Sequence, residues 1–268
     1  MSQNGSIGVF DSGVGGLTVL REIARALPNE DCVYLGDTAR LPYGNKSRDT
    51  VTKFALKNSS FLVSLGIKFL VIACNTAASA GLDAVKESFD VPTTGVIKPE
   101  ARRAATATRN GKVGVIGTRS TIASGAYELA IHQHDSGITV HSRPCPLFVP
   151  LAEEGWFEED VTRLVAERYL MDLINEGIDT LVLGCTHYPL LKKVITETVG
   201  RDVALVDSAV PIAREVKDTL KSMGMLRDVN RRRRLTYYVT DDPKIFTQVG
   251  ESFLGFPLDD VRHVDIAV

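Results

Sequence analysis

The chain has 268 residues, of which 44% are hydrophobic and 24% charged, and its formal net charge is −2. This length suffices for one large domain or two small ones, and the composition is typical of a soluble globular protein. The small charge excludes a general attraction to nucleic acid or anionic membranes, and we interpret the arginine run 231–234 as a solvated face. No apolar run reaches the roughly 20 residues of a membrane span, and the first residues do not resemble a signal peptide, so we expect a cytoplasmic protein.

Apolar runs typical of strands alternate with helical patterns along the chain. The predicted strands are 7–10, 32–35, 67–73, 93–97, 113–116, 138–141, 180–183, 203–206, 235–239 and 261–266. The clearest helical patterns are 17–27, 47–65, 158–176 and 209–223. The alternation indicates βαβ units, and the continuously apolar strands indicate sheets that are covered on both faces. The predicted fold class is therefore α/β, with largely parallel sheets flanked by helices.

Two parts of the chain repeat each other in sequence. The stretch 69–76, which contains Cys74, resembles the stretch 180–187, which contains Cys185. The first strands of the two parts also resemble each other, and both parts run strand, polar loop, helix, strand, helix, strand, cysteine, helix. We therefore predict two similar lobes with the active site in the cleft between them.

The segment after about residue 206 has no counterpart in this repeat. We expect it to return and complete the first lobe. The predicted division is 1–97 plus 208–268 for the first lobe and 98–207 for the second.

Each repeated cysteine lies at the carboxyl end of a predicted strand, where α/β proteins place ligand sites, and precedes a predicted helix whose dipole would stabilise a thiolate. One alternative is burial in the core, which we prefer for Cys32 and Cys145, and another is a disulfide, which a reducing compartment disfavours. A zinc site of Cys74, Cys185 and His187 would lack a Cys-x-x-Cys pattern and a fourth ligand. Two thiols on a repeated scaffold instead suggest a pair that faces one substrate from opposite sides, without a metal.

Further polar residues in the sequence are candidates for proton transfer. Asp11 and Ser12 end the first predicted strand and offer a carboxylate and a hydroxyl. The glycines after them make a poor dinucleotide fingerprint, because Thr18 stands where the last glycine should be. His187, expected to be neutral near pH 7, would hydrogen-bond the neighbouring thiol or orient a substrate. Glu153 would be a helix-entry acid or a second proton-handling group.

The pairs Asn75-Thr76 and Thr186-His187 each follow one repeated cysteine. Both pairs carry side-chain donors, and their backbone N–H groups are expected to be unsatisfied because they open a helix. Such a cradle binds carboxylates without an arginine. The expected ligand is a small molecule with two acidic groups and a reacting centre between the thiols.

Five motifs of the chain resemble, in order, those of the glutamate racemases within the aspartate/glutamate racemase superfamily. They are GVFDSGVGGL at 8–17, LPYG at 41–44, ACNTA at 73–77, PLAEEG at 150–155 and LGCTHYP at 183–189. The resemblance covers nearly the whole chain. It implies a two-lobed enzyme that needs no cofactor, interconverts L- and D-glutamate for peptidoglycan synthesis, and is usually a homodimer.

The resemblance also implies roles for individual residues. Cys74 and Cys185 take the places of the two catalytic acid/bases. Asp11, with Ser12, would lie beside Cys74, whereas Glu153 and His187 would assist Cys185. The substrate-binding positions that it implies are Asp11, Ser12, Tyr43, Gly44, Asn75, Thr76, Thr118, Thr121, Thr186 and His187.

Racemisation removes a proton from one face of a carbon and delivers one to the other, so two opposed thiols would exchange the thiolate role at each turnover. An aspartate racemase would use the same chemistry on a shorter substrate. A Cys/His hydrolase would use Cys185 as nucleophile and His187 as base, which leaves Cys74 and the duplication unexplained. A third alternative is an amino-acid-binding protein without catalysis.

Overall fold

The computed structural model describes residues 3–228 and 233–266. Residues 231–232 of the arginine run therefore lie outside the described residues, whereas Arg233 is half-buried and Arg234 is exposed. The chain forms two compact units, the first made of Met1–Val96 and Ala209–Val268 and the second of Ile97–Ser208. In the part of the chain that is described, no helix is both long and apolar enough to cross a membrane.

The described strands and helices alternate through most of the chain. The strands are β1 (Ile7–Asp11), β2 (Cys32–Gly36), β3 (Phe69–Ile72), β4 (Thr93–Gly95), β5 (Lys112–Gly117), β6 (Thr139–Pro144), β7 (Thr180–Gly184), β8 (Ala204–Val206), β9 (Leu235–Val239) and β10 (Val261–His263). The α-helices are α1 (Leu17–Ala26), α2 (Arg48–Ser64), α3 (Asn75–Ser88), α4 (Ile97–Ala107), α5 (Arg119–Ala123), α6 (Ala126–His132), α7 (Phe148–Glu153), α8 (Asp160–Asn175), α9 (Lys192–Val199), α10 (Ala209–Ser222) and α11 (Pro243–Leu254). Short 3₁₀ turns span Thr38–Arg40, Tyr43–Asn45 and Tyr188–Leu191.

The first unit contains a six-stranded sheet in the order β10-β9-β2-β1-β3-β4. Every pair of neighbouring strands is parallel. The central strands β1 and β3 are buried along their whole length, as is typical of parallel strands that are covered on both faces. The segment that follows α10 adds β9 to this sheet by pairing it with β2.

The second unit contains a four-stranded parallel sheet in the order β6-β5-β7-β8. The first unit has the same order in β2-β1-β3-β4, so β3 and β7 hold equivalent places in their sheets. Cys74 and Cys185 follow these two strands. The predicted fold class, α/β with two largely parallel sheets flanked by helices, is confirmed.

Helix α1 illustrates why the sequence forms these layers. Leu17, Leu20 and Ile23 recur at helical spacing and are fully buried, whereas Arg25 in the last turn is exposed. An amphipathic pattern of this kind turns one face of the helix to the core. Because a positive charge near the helix C-terminus also stabilises the helix dipole, Arg25 favours the observed end of the helix.

Two local predictions were wrong. The predicted strand 93–97 ends at Gly95, and Ile97 instead begins α4. Pro99 lies in the first turn of this helix, where its missing N–H costs no hydrogen bond, and the apolar pair before it imitated a strand. The helix predicted directly after Cys185 is also delayed, because a 3₁₀ turn at Tyr188–Leu191 precedes α9.

A buried ionic cluster lies at the amino ends of β2 and β3. Lys68 Nζ lies 2.6 Å from Glu30 Oε2, and both side chains are almost fully buried. The same ammonium donates to the carbonyl oxygens of Gln3 and Met225, each at 2.8 Å. Because Met225 follows α10, this cluster holds the segment after residue 208 against the amino ends of β2 and β3.

Candidate active site

In the first unit, polar residues gather where β1 and β3 end. Asp11 is the last residue of β1, and its buried carboxylate accepts hydrogen bonds from the backbone N–H groups of Gly13 at 3.2 Å and Gly16 at 3.0 Å. Tyr34 donates to the carbonyl oxygen of Gly13 at 2.7 Å. These bonds fix the loop that carries Ser12.

Gly16 is required by the close approach of its neighbours. A Cβ atom built on it would lie 2.5 Å from Asp11 Cβ and 2.8 Å from the Tyr34 hydroxyl oxygen. Contacts that short force the loop to move. The glycines that gave a poor dinucleotide fingerprint therefore allow the Asp11 carboxylate to hold the loop backbone.

Cys74 is the N-cap residue of α3, and its thiol is nearly buried. Ala77 N–H donates to Cys74 Sγ at 3.4 Å, and Sγ lies 3.7 Å from Ser12 Oγ. A backbone N–H at a helix N-terminus stabilises a thiolate. Burial, followed by the charges of Asp11 and Cys74, raises the pKa of Tyr34 well above its ordinary value. We call Asp11, Ser12, Cys74, Asn75 and Thr76 the Cys74 cluster.

Asn75 and Thr76 are the first residues of α3, and both are buried. Their backbone N–H groups belong to the first turn of this helix, the end at which the helix dipole favours an anion. The structure thus brings these residues next to Cys74, at the position that the sequence predicted for an anion cradle.

Tyr43 and Gly44 lie in the 3₁₀ turn Tyr43–Asn45. The Tyr43 side chain is buried, and its hydroxyl donates to Asp37 and accepts from Asn58 Nδ2 at 3.1 Å. Burial is the largest cause that raises the pKa of Tyr43 above its ordinary range, with the Asp37 charge next. The hydroxyl thus bonds within the protein and anchors this turn, which packs against α3.

In the second unit, Cys185, His187 and Glu153 form a continuous chain of contacts. Cys185 Sγ lies 3.8 Å from His187 Nδ1, and His187 Nε2 lies 2.9 Å from Glu153 Oε1. Glu153 ends α7, and Phe148 of that helix packs edge-on against Tyr188 with ring centroids 5.3 Å apart. This aromatic contact holds α7 against the turn that follows His187. We call Cys185, Thr186, His187 and Glu153 the Cys185 cluster.

The charge of His187 differs from the prediction. Burial lowers the pKa of this imidazole, but hydrogen bonds with Cys185 and Glu153 outweigh burial and raise the pKa to about 10. The raised pKa favours the imidazolium form of His187, whereas the sequence suggested a neutral imidazole. A buried imidazolium beside a sulfur atom stabilises the thiolate.

Thr118 and Thr121 lie together at the end of β5, the strand that pairs with β7. Thr118 caps α5 by accepting from Thr121 N–H at 3.2 Å, and the two hydroxyl oxygens are 3.0 Å apart. Thr186, between Cys185 and His187, is buried. Gly117 and Gly184, the last residues of β5 and β7, are paired, so these threonines follow the same sheet edge as Cys185.

Sequence reasoning missed a buried carboxyl group near Cys185. Tyr127 donates to Glu100 Oε2 at 2.5 Å, and Glu100 is fully buried. Burial raises the pKa of Glu100 well above its ordinary value, and the charges of Asp207 and Cys185 act in the same direction. The Tyr127 ring packs against Gly184, where a Cβ would lie 2.8 Å from its Cε2. Burial thus disfavours a negative charge on Glu100.

The other two cysteines are core residues. Cys32 lies in β2, and burial raises its pKa to about 12. Burial also raises the pKa of Cys145 far above its ordinary value. Across residues 3–228 and 233–266, no group of three or more histidine, cysteine, aspartate or glutamate side chains has the arrangement of a metal site.

Comparison with known proteins agrees with this architecture. The sequence matches the family model described as Asp/Glu/Hydantoin racemase over residues 7–216. The chain belongs to this family and is an amino-acid racemase, an isomerase.

Proteins named glutamate racemase are similar to almost all of the chain. A glutamate racemase of Geobacter metallireducens is 54% identical over 261 residues, which are 97% of each chain. The crystal structure of glutamate racemase isoform RacE1 from Bacillus anthracis has a TM-score of 0.95 at 42% identity and covers 99% of both chains. The crystal structure of the Francisella tularensis glutamate racemase in complex with D-glutamate has a TM-score of 0.93 at 39% identity and covers 98% of both chains.

Proposed function

We propose that this racemase interconverts L- and D-glutamate by two-base proton transfer, with Cys74 and Cys185 as the acid/base pair. The proposal includes independence of any cofactor, a homodimer, a cytoplasmic location and a supply of D-glutamate for peptidoglycan synthesis. The glutamate racemases that are similar over nearly the full length support the choice of glutamate. The residues of the two clusters support the chemistry.

One observation carries the mechanism. Four strands of the first sheet have the same order as the four of the second, and a thiol follows the equivalent strand in each, Cys74 after β3 and Cys185 after β7. A racemase needs one group to remove the α-proton and another to deliver a proton to the opposite face. Duplicated half-sites that each carry a thiol meet this need, whereas a mechanism with one nucleophile requires only one of them.

The two thiols are supported by different neighbours. Cys185 contacts the His187 cation, which favours the thiolate, and Glu153 holds that cation in place. Cys74 Sγ accepts a hydrogen bond from the Ala77 N–H at the start of α3. Because each thiol has a stabilising partner, each can carry the negative charge in turn.

The carbanion is the difficult intermediate, because its charge spreads into the α-carboxylate of the substrate. Preorganised donors stabilise such charge by on the order of 3 kcal/mol each. The hydroxyl and N–H groups at Ser12, Asn75 and Thr76 are suited to this task on the Cys74 cluster. Thr118, Thr121 and Thr186 offer the same kind of donor at the edge that carries Cys185.

A Cys/His hydrolase is the second candidate, because Cys185, His187 and Glu153 resemble the thiol–imidazole–carboxylate chain of such enzymes. That function gives no role to Cys74 or to its cap on α3. A screen for ester cleavage and ammonia release tests it directly. An aspartate racemase shares the proposed chemistry, and polarimetry on enantiopure aspartate and glutamate distinguishes the two.

The experiment that tests the proposal is replacement of each thiol. Cys74→Ala and Cys185→Ala should each abolish steady-state racemisation of glutamate, while the far-ultraviolet circular dichroism spectrum stays that of the wild type. Cys32→Ala is the matched control, since this buried thiol lies outside both clusters. Full turnover in either of the first two variants would remove that cysteine from the mechanism.

A further inference from the structure

Asp37 lies directly beyond β2, the strand next to β1, and its carboxylate is fully buried. Four side chains donate hydrogen bonds to it. Oδ1 accepts from Arg40 Nε at 2.8 Å and from Thr240 Oγ1 at 2.9 Å. Oδ2 accepts from Asn58 Nδ2 at 3.2 Å and from the hydroxyl of Tyr43. We call these five residues the Asp37 cluster.

The four donors come from separate parts of the first unit. Arg40 and Tyr43 lie in the two 3₁₀ turns that follow β2, and Asn58 lies in α2. Thr240 lies directly beyond β9, in the segment that has no counterpart in the second unit. The Asp37 carboxylate therefore joins residues 38–45 to the returning segment of the chain.

Thr240 makes three hydrogen bonds with the chain around Asp37. Its hydroxyl donates to Asp37 and accepts from Ala39 N–H at 3.0 Å, while its own N–H donates to the Gly36 carbonyl oxygen at 3.1 Å. These bonds fix the chain just before and just after Asp37. The turn that begins at Tyr43 is then held by its hydroxyl at one end and by the Lys46 N–H bond to the Tyr43 carbonyl oxygen, at 3.0 Å, at the other.

We propose that Asp37, fixed in place by Thr240, is a positioning residue that holds the Tyr43–Asn45 turn against α3, the helix that Cys74 caps, in the place where this turn binds the substrate. This inference rests on the proposed function, which makes a dicarboxylate the substrate. The buried hydroxyl of Tyr43 then serves as an anchor for the turn and not as a ligand. Preorganised donors bind an anion more tightly because they lose less conformational freedom on binding.

A purely structural role predicts a different result from a positioning role. If the Asp37 cluster only stabilised the fold, loss of one of its bonds would lower the melting temperature and leave substrate affinity unchanged. If it positions the turn, the loss weakens substrate binding and leaves the chemical step at the two thiols largely intact. The test must therefore separate KM from kcat.

The experiment compares three substitutions, each of which replaces a threonine. Thr240→Val removes the bond to Asp37, Thr240→Ser keeps it, and Thr236→Val makes the same change within β9, outside the cluster. For each protein, KM and kcat for L- and D-glutamate and the Kd of D-glutamate by calorimetry are measured, with the melting temperature as a check of folding. Thr240→Val should raise KM and Kd about fivefold, as expected for one lost hydrogen bond, with kcat changed less than about twofold.

Thr240→Ser and Thr236→Val should keep the KM and Kd of the wild type. The inference is overturned if Thr240→Val lowers only the melting temperature, if it lowers kcat at constant KM, or if Thr236→Val has the same effect on KM. A wild-type protein that fails to racemise glutamate refutes the proposed function, and the calorimetric Kd series then still decides the positioning role. A wild type that does not bind D-glutamate refutes both.

Discussion

The contact between Glu153 and His187 gives the sharpest quantitative prediction. Glu153 Oε1 lies 2.9 Å from His187 Nε2, and the Glu153 side chain is 33% exposed. A hydrogen bond between charged groups contributes about 1.5–3 kcal/mol, and solvent access favours the lower end. Glu153→Gln keeps an acceptor oxygen but removes the charge. The expected loss of about 1.5 kcal/mol in the stabilisation of the His187 cation corresponds to roughly one unit in the pKa of His187 and to about a tenfold effect on a step that depends on this contact.

The predicted result is a fall of about tenfold in kcat/KM for glutamate, measured by polarimetry from both enantiomers. The fall must be equal in the two directions, because the equilibrium constant between enantiomers is one. The values of kcat and KM need not change equally, since only one direction begins with Cys185 as the base. Glu154→Gln is the matched control, because Glu154 is the exposed neighbour. An activity of Glu153→Gln within twofold of the wild type would refute the reasoning.

Three further predictions concern the loop at β1, the ionic cluster and pH. Gly16→Ala should lower kcat/KM at least tenfold, because its Cβ would displace Asp11; normal turnover and melting would contradict the close approach. Lys68→Met should lower the free energy of unfolding in urea by about 3 kcal/mol, since it leaves the buried Glu30 without its ammonium partner, whereas the same change at the exposed Lys57 should alter it by under about 1 kcal/mol. The pKa of His187 is raised from 6.5 to about 10, so its contribution to stability is complete below pH 6.5 and is lost as pH rises through 10. His187→Asn should therefore flatten the pH dependence of the free energy of unfolding between pH 6.5 and 10. The same pH dependence in this variant and the wild type would contradict a charged His187.

The fold was predictable because its signals are local. Runs such as 7–10 and 180–183 are mostly apolar without alternation, which is typical of a sheet covered on both faces, and the structure has parallel strands there. The limits of this reasoning show at Ile97, where two branched residues imitate a strand although the following proline suits a helix start. Distinguishing the two needs the contacts of α4 with the second sheet, which no local pattern contains.

The candidate site was predictable only as far as strand ends could be recognised. Asp11, Cys74 and Cys185 each lie at or just beyond the end of a predicted strand, and the structure has them at those positions. Asp37 also lies just beyond a predicted strand, 32–35, so its place near the site could have been predicted from the sequence in the same way. The charge of His187 was not, because it depends on Glu153, which lies 34 residues away along the chain. Thr240 is 203 residues from Asp37, and only the pairing of β9 with β2 brings it near.

The measurement that most directly tests the central claim, two thiols with separate proton roles, is racemisation in D₂O followed early in the reaction by mass spectrometry of both enantiomers. A pair of bases delivers a solvent-derived deuteron from one thiol while the other retains the substrate proton. The newly formed enantiomer should therefore carry deuterium at Cα in its first turnovers, and the remaining substrate should still carry hydrogen. Product that keeps the substrate-derived hydrogen, or equal deuterium in product and recovered substrate, would contradict the account.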